Sequence, residues 1–138
     1  MIWVCALHCE AKPIIDFYRL KKSTTQTDFD LYSNDAMICF VSGMGAQKMT
    51  QAITWATSLF NKSSELRWIN IGISGHKSLD IGSAVIVSEF YQHGSSTAIT
   101  ALQPVQHSFQ SMPVTSHRAE QTDYDENSLF DMEAYAFI

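Results

Sequence analysis

Ala36-Met37-Ile38-Cys39-Phe40-Val41, followed at once by Ser42-Gly43-Met44-Gly45, is the stretch on which the fold turns. Six apolar residues in a row are the mark of a strand buried on both faces, the kind found inside parallel sheets. The two glycines make a tight turn. A helix then follows from about Ala46 to Phe60, with Met49, Ala52, Ile53, Ala56, Leu59 and Phe60 along one side. Strand, glycine turn and helix in that order form half of a layered α/β unit.

The same unit appears on either side. Ile2 to Leu7 reads as a second buried strand, with a helix over 10–22 after it. Ile14, Ile15, Phe17, Tyr18 and Leu20 supply that helix's apolar side, and Pro13 sits in its first turn, where a missing N–H does no harm. Thr27 to Tyr32 is a short strand ending in a Ser33-Asn34-Asp35 turn. Leu66 to Ile73 is a third buried strand, closing in Gly72-Ile73-Ser74-Gly75 after a polar loop over 61–65. Further strands are expected at Ser83–Tyr91, Thr97–Leu102 and Met112–Thr115, a loop at Tyr124–Ser128, and helical character from Leu129 to Ile138, with Asp131 near its start. This order predicts a layered α/β fold around a largely parallel sheet, and the length predicts one domain over 1–138. In such sheets ligands bind beyond the carboxyl ends of the strands, where both glycine turns lie.

Composition narrows the partners. The 138 residues are 46% apolar and 12% aromatic, too rich for a disordered chain. Nine basic and 14 acidic groups give −5, and six of the acids lie in 119–138, so the body is nearly neutral. There is no basic patch of the kind that binds nucleic acid and no apolar run of the ~20 residues a membrane span needs. Met1 leads into Ile-Trp-Val-Cys without a basic region, and Cys5, Cys9 and Cys39 are odd in number. A cytoplasmic protein with reduced thiols is the expectation. Cys5, His8 and Cys9 fall on different faces of a strand and turn, so no metal site is expected. His76, His93, His107 and His117 read as dispersed loop histidines. Neither glycine turn has the spacing of a P-loop or a dinucleotide fingerprint, and no cofactor is implied.

Four ordered segments resemble the purine nucleoside phosphorylase and nucleosidase superfamily, nearest to the 5′-methylthioadenosine/S-adenosylhomocysteine nucleosidases. They are Cys5-Ala6-Leu7-His8-Cys9-Glu10; Val41-Ser42-Gly43-Met44-Gly45; Ile69 to Gly75 with Asp80 to Val87; and Phe130-Asp131-Met132-Glu133-Ala134-Tyr135-Ala136. The resemblance implies a three-layer phosphorylase/nucleosidase-like α/β fold, with a central mixed, largely parallel twisted sheet flanked by helices, and a small-molecule nucleoside or purine as partner. Glu10 matches the acid that activates the attacking water. Met132 and Glu133 match the pair that holds the ribose, Met132 on its apolar face and Glu133 on its hydroxyls. Ile73, Ser74 and Gly75 match the segment beside base and sugar, and Ser42, Gly43 and Gly45 part of the site floor. Val114 to His117 matches a strand and loop against the base. A homodimer or larger ring is implied too, since sheet edges and apolar surface need covering.

Carboxylates suit this chemistry. Cleaving a purine–ribose bond develops positive charge on the sugar, which a nearby carboxylate stabilises while a second takes a proton from water. A phosphorylase needs cations for phosphate. Neither glycine turn holds an arginine, and Lys12 is the only base near Glu10, so hydrolysis is favoured over phosphorolysis. The family's general acid is an aspartate in a Ser-Asp dipeptide on a later strand. No Ser-Asp occurs in the 138 residues, the chain stops before that strand, and 91–129 is shorter than in family members. The alternative is a purine- or nucleoside-binding protein on the same fold.

Overall fold

The computed structural model describes residues 1–24, 27–60, 66–101, 108–116 and 126–138. The loop expected at 61–65, the positions of His107 and His117, and Tyr124 with Asp125 lie outside the described residues. The chain divides into two compact units, Met1–Ile73 and Ser74–Ala136, with Phe137 grouped with the first and Ile138 with the second.

The first unit runs β1 (Ile2–Cys5), α1 (His8–Tyr18), β2 (Lys21–Lys22), β3 (Asp30–Ser33), β4 (Ile38–Val41), α2 (Ala46–Phe60) and β5 (Trp68–Asn70). Its sheet has the order β2-β3-β4-β1-β5. β1 is parallel to both β4 and β5, while β2 and β3 are antiparallel. Alternation along β1 sorts the side chains to two faces. Cys5 joins Cys39, Tyr32, Ala11 and Ile14 in a core under α1. Val4 stands level with Phe40 on the other face, where Phe40 meets Trp55 and Phe60 of α2 edge to face at 5.8 and 6.3 Å between ring centroids. Met49, Ala52 and Ala56 of α2 are buried as its apolar spacing requires. Helix, sheet and helix thus form three layers within this unit.

The second unit runs β6 (Val85–Gln92), β7 (Ala98–Thr100), β8 (Gln110–Ser116), β9 (Leu129–Asp131) and α3 (Ala134–Phe137), with sheet order β7-β6-β8-β9. β7 is antiparallel to β6; β8 and β9 are parallel to it and to each other. The β6–β8 register shifts between Val87 and Phe90, a bulge on β6. Phe90, Met112, Val114, Leu129 and Ala134 pack into its core.

Among the described residues the strands therefore hydrogen-bond into two mixed sheets. Several boundaries differ from expectation. The first helix ends at Tyr18, because Arg19 adopts a left-handed conformation (φ 53°) and turns the chain into β2. The helix expected from Leu129 begins at Ala134, because Leu129, Phe130 and Asp131 pair with Val114, Thr115 and Ser116. The strand of the opening motif spans Ile38–Val41, since Asn34 Oδ1 accepts the N–H groups of Ala36 and Met37 and holds both in the turn. Helix α2 has the boundaries its periodicity predicts.

Candidate functional site

The first unit gathers three loops at the carboxyl ends of its adjacent parallel strands β4, β1 and β5. Leu7 is the N-cap of α1, and Glu10 is its third helical residue, from which a side chain reaches back over the first turn. Glu10 Oε2 accepts the backbone N–H groups of Leu7 (2.8 Å) and Ala6 (3.0 Å). Its other oxygen, Oε1, accepts the N–H of Ile73, beyond β5, at 2.9 Å. A carboxylate offers about four acceptor positions, so three donors fix its plane and leave one position on Oε1 for a further hydrogen bond. Gly72 lies beside it: a Cβ there would sit 3.5 Å from Oε1, in ordinary van der Waals contact.

The glycine turn after β4 is tied to the same place. Ser42 N–H and Gly43 N–H donate to the carbonyls of Cys5 and Ala6 at 2.9 and 3.0 Å. The buried Ser42 hydroxyl donates to Cys5 O and Gly43 O. Gly43 (φ +84°) and Gly45 (φ +99°) take conformations that disfavour side chains, and Gly45 O accepts the N–H of Met49 to open α2. Ser42, Gly43 and Lys48 line an open groove of about 330 Å³ with the loop Thr27–Asp30 opposite. Apolar side chains stand exposed at this end of the sheet: Leu7, Met44, Ile71 and Ile73.

Directly beneath lie two thiols. Cys5 and Cys39 are fully buried on neighbouring strands. Their hydrogen bond, reinforced by burial, holds the Cys5 thiol far above the ordinary thiol range. Cys9 is exposed in the first turn of α1, as is His8, whose ring lies 5.7 Å from that of Tyr32 between centroids.

The second unit holds the remaining predicted residues. Ser74 is exposed; Gly75 exchanges two backbone hydrogen bonds with Phe130 (2.8 and 2.9 Å). Met132 and Glu133 follow β9 and are half-buried. Asp131 Oδ1 accepts the N–H groups of Glu133 (3.1 Å) and Ala134 (2.8 Å) and the hydroxyl of Ser116 (3.0 Å). Ser116 Oγ in turn accepts the N–H of Tyr135 at 2.8 Å. His76 is half-buried rather than a free loop histidine, because its Nδ1 accepts the N–H groups of Ser78 and Leu79, both at 3.1 Å.

So Glu10, Ser42, Gly43, Gly45 and Ile73 belong to one unit, with Glu10 bonded to Ile73. Ser74, Gly75, Met132 and Glu133 belong to the other. Sequence reasoning placed Ser116 in a strand and loop against the base and missed its bonds to Asp131 and Tyr135. Its partner Asp131 carried a signal, since an aspartate just before a short helix is a capping residue.

Solved structures show the same arrangement of elements. The apo form of Arabidopsis thaliana 5′-methylthioadenosine nucleosidase superposes with a TM-score of 0.83 at 16% identity, covering 99% of this chain and 72% of that one. A Helicobacter pylori methylthioadenosine nucleosidase mutant with 5′-methylthioadenosine in its active site gives 0.78 at 12% identity, over 99% and 76%. This chain has the nucleosidase fold. A Helicobacter pylori futalosine hydrolase mutant shares the same nucleosidase fold, with a TM-score of 0.72 at 13% identity over 99% and 80%. No protein-family model matches the sequence, and no curated protein is similar to it. On this fold the mixed α/β layers expected from the strand and turn pattern are all present.

Proposed function

We propose that this chain binds a purine nucleoside or thionucleoside of the methylthioadenosine or adenosylhomocysteine type and hydrolyses its N-glycosidic bond. The observation that carries the reading is the Glu10 carboxylate, clamped by three backbone N–H groups past the end of a parallel strand on a nucleosidase fold. In this reading the bond from the anomeric carbon to the purine breaks, and its electron pair leaves with the base. Water bonds to that carbon and gives a proton to Glu10, which accepts three backbone N–H groups among the described residues and has a fourth acceptor position. The departing base takes a proton from solvent. The resemblance assigns Met132 to the ribose, Glu133 to its hydroxyls and to the charge developing there, and Ser42, Gly43, Gly45, Ile73, Ser74 and Gly75 to substrate binding. The exposed Leu7, Met44 and Ile73 near Glu10 favour a substrate with an apolar thioether arm.

The test is release of free base. Methylthioadenosine, adenosylhomocysteine, inosine and adenosine are each mixed with the protein at high concentration, with and without phosphate. Base release without phosphate is expected; no release from any of them sinks the reading, and release only with phosphate turns it into phosphorolysis. A second reading is nucleoside binding without turnover on the same fold. Glu133→Gln separates the two: it stops turnover under the first and changes only affinity under the second. With the first reading go a cytoplasmic setting and self-association, for which a monomeric mass by light scattering at tens of micromolar is the contrary result.

A further inference from the structure

Ser116 and Asp131 form a latch at the point where β8, β9 and α3 meet. Three consecutive backbone N–H groups, those of Glu133, Ala134 and Tyr135, stand at the start of α3 without helical partners of their own. Asp131 Oδ1 takes the first two and Ser116 Oγ the third. The Ser116 hydroxyl closes the ring by donating to that same Oδ1. Asp131 Oδ2 adds a second acceptor for Ala134 at 3.2 Å. Each group sits on a separately anchored strand: Ser116 pairs with Asp131 in the β8–β9 register and with Gln92 of β6. The Thr115 and Ser128 hydroxyls bond at 2.9 Å one step away. α3 is only four residues long, so it cannot fix its own first turn; the latch does.

We propose that Ser116 and Asp131 are positioning residues that set the backbone of Met132 and Glu133, and so the aim of the side chains that hold the ribose. The assignment rests on the nucleosidase reading above. Asp131 does not meet the ligand. It accepts the N–H of Glu133 itself, so its loss frees the one peptide on which the ribose-binding carboxylate is mounted. Ser116 acts one step further back, by orienting Asp131 and by holding Tyr135. The latch therefore governs recognition of the sugar and not of the base.

The experiment uses the full chain, with Ser116→Ala, Ser116→Thr and Asp131→Asn. Amide exchange is read by NMR at Glu133, Ala134 and Tyr135; methylthioadenosine binding is read as KM from initial rates of base release, or by calorimetry if no base is released, and adenine binding by calorimetry. Ser116→Ala is expected to speed exchange at those three amides while the β6 and β8 amides stay protected. It should weaken methylthioadenosine binding about tenfold, the loss of one hydrogen bond to a charged group, and leave adenine unchanged. Ser116→Thr keeps the hydroxyl and restores both readouts; Asp131→Asn keeps an acceptor for Glu133 and falls between. Unchanged exchange in Ser116→Ala overturns the latch. Faster exchange with methylthioadenosine and adenine weakened alike overturns the positioning role and leaves the nucleosidase reading standing. A wild-type chain that binds methylthioadenosine no better than adenine overturns the ribose assignment itself, and the positioning role with it, even if exchange responds as expected.

Discussion

The carboxylate of Glu10 and the backbone N–H of Ile73 are 63 residues apart in the chain and 2.9 Å apart in space. That bond joins the loop after β5 to the loop after β1, and the Ser42 and Gly43 amides join the loop after β4 to the same turn. Three strand ends are thus stitched together by backbone donors, and the stitching converges on one acidic side chain. Backbone amides hold this carboxylate in orientation, and among the described residues it makes no ion pair, which leaves its charge available to a ligand.

Glu10→Gln should therefore do two things. A glutamine keeps one oxygen but replaces the other with an N–H₂ that cannot accept from Ala6 and Leu7 or from Ile73. The fold should lose about 1–2 kcal/mol, since these amides are partly exposed and water can replace the acceptor. Base release should fall by about a hundredfold or more, the scale of a lost general base. Urea unfolding and the base-release assay measure the two effects. A variant with full stability and full turnover removes Glu10 from both roles.

Much of this was legible beforehand, for identifiable reasons. α2 could be read to the residue because Gly45 opens it and Met49, Ala52 and Ala56 repeat at helical spacing. The glycine turn was legible because only glycine takes the φ values of Gly43 and Gly45 easily. The role of Ile73 was not, because it acts through its N–H, which every residue but proline carries. The end of α1 was hidden because an arginine in a left-handed conformation leaves no compositional trace. β9 was hidden because three residues that pair with a strand at Val114–Ser116 read equally well as the first turn of a helix. Ser116 was placed in a strand and loop against the base, but its bonds were invisible because their partners lie 15 and 19 residues away.

The two turn glycines offer a paired test. A Cβ at Gly43 would meet Lys48 Cδ at 2.8 Å, whereas nothing lies within 4 Å of a Cβ at Gly45. Lys48 is exposed and flexible, so it can swing aside. Backbone strain should dominate both substitutions: Gly43→Ala and Gly45→Ala are each expected to cost about 1–3 kcal/mol, with similar values in chemical denaturation. Adding Lys48→Ala should rescue neither. Full rescue of Gly43→Ala by Lys48→Ala would show that the clash, and not the φ angle, sets the cost.

Phe40 should be the most costly single truncation in the first unit. It is 1% exposed and packs against Phe29, Trp55 and Phe60 at 5.7, 5.8 and 6.3 Å between centroids. Phe40→Ala should lose about 3–5 kcal/mol, from lost burial plus the cavity left behind. That can unfold a marginal domain, so Phe40→Leu serves as the milder variant, expected to lose about 1–2 kcal/mol. Equilibrium unfolding measures both. A loss under 0.5 kcal/mol for the alanine variant, on the order expected of a surface site, would show that this aromatic cluster does not hold α2 to the sheet.

The buried thiols give the protein an alkaline limit. Cys39 and burial together hold Cys5 protonated well above the ordinary thiol range in the folded state, while an unfolded cysteine releases its proton near pH 8.5. Above that pH the native chain binds more protons than the unfolded one, so stability falls as pH rises. Below it the full contribution is present. The slope should approach about 1.4 kcal/mol per pH unit once unfolded Cys5 is ionised. Urea midpoints at steps between pH 7.5 and 10.5 measure it, and the double variant Cys5→Val with Cys39→Val should flatten the curve by removing both buried thiols, since burial alone would raise a lone Cys39. Thiol labelling gives an independent check: in the native protein exposed Cys9 reacts with an alkylating reagent, and Cys5 and Cys39 do so only on unfolding. Rapid labelling of all three at neutral pH, or an alkaline slope unchanged in the double variant, would mean that the pair is not sealed between sheet and helix as it stands here.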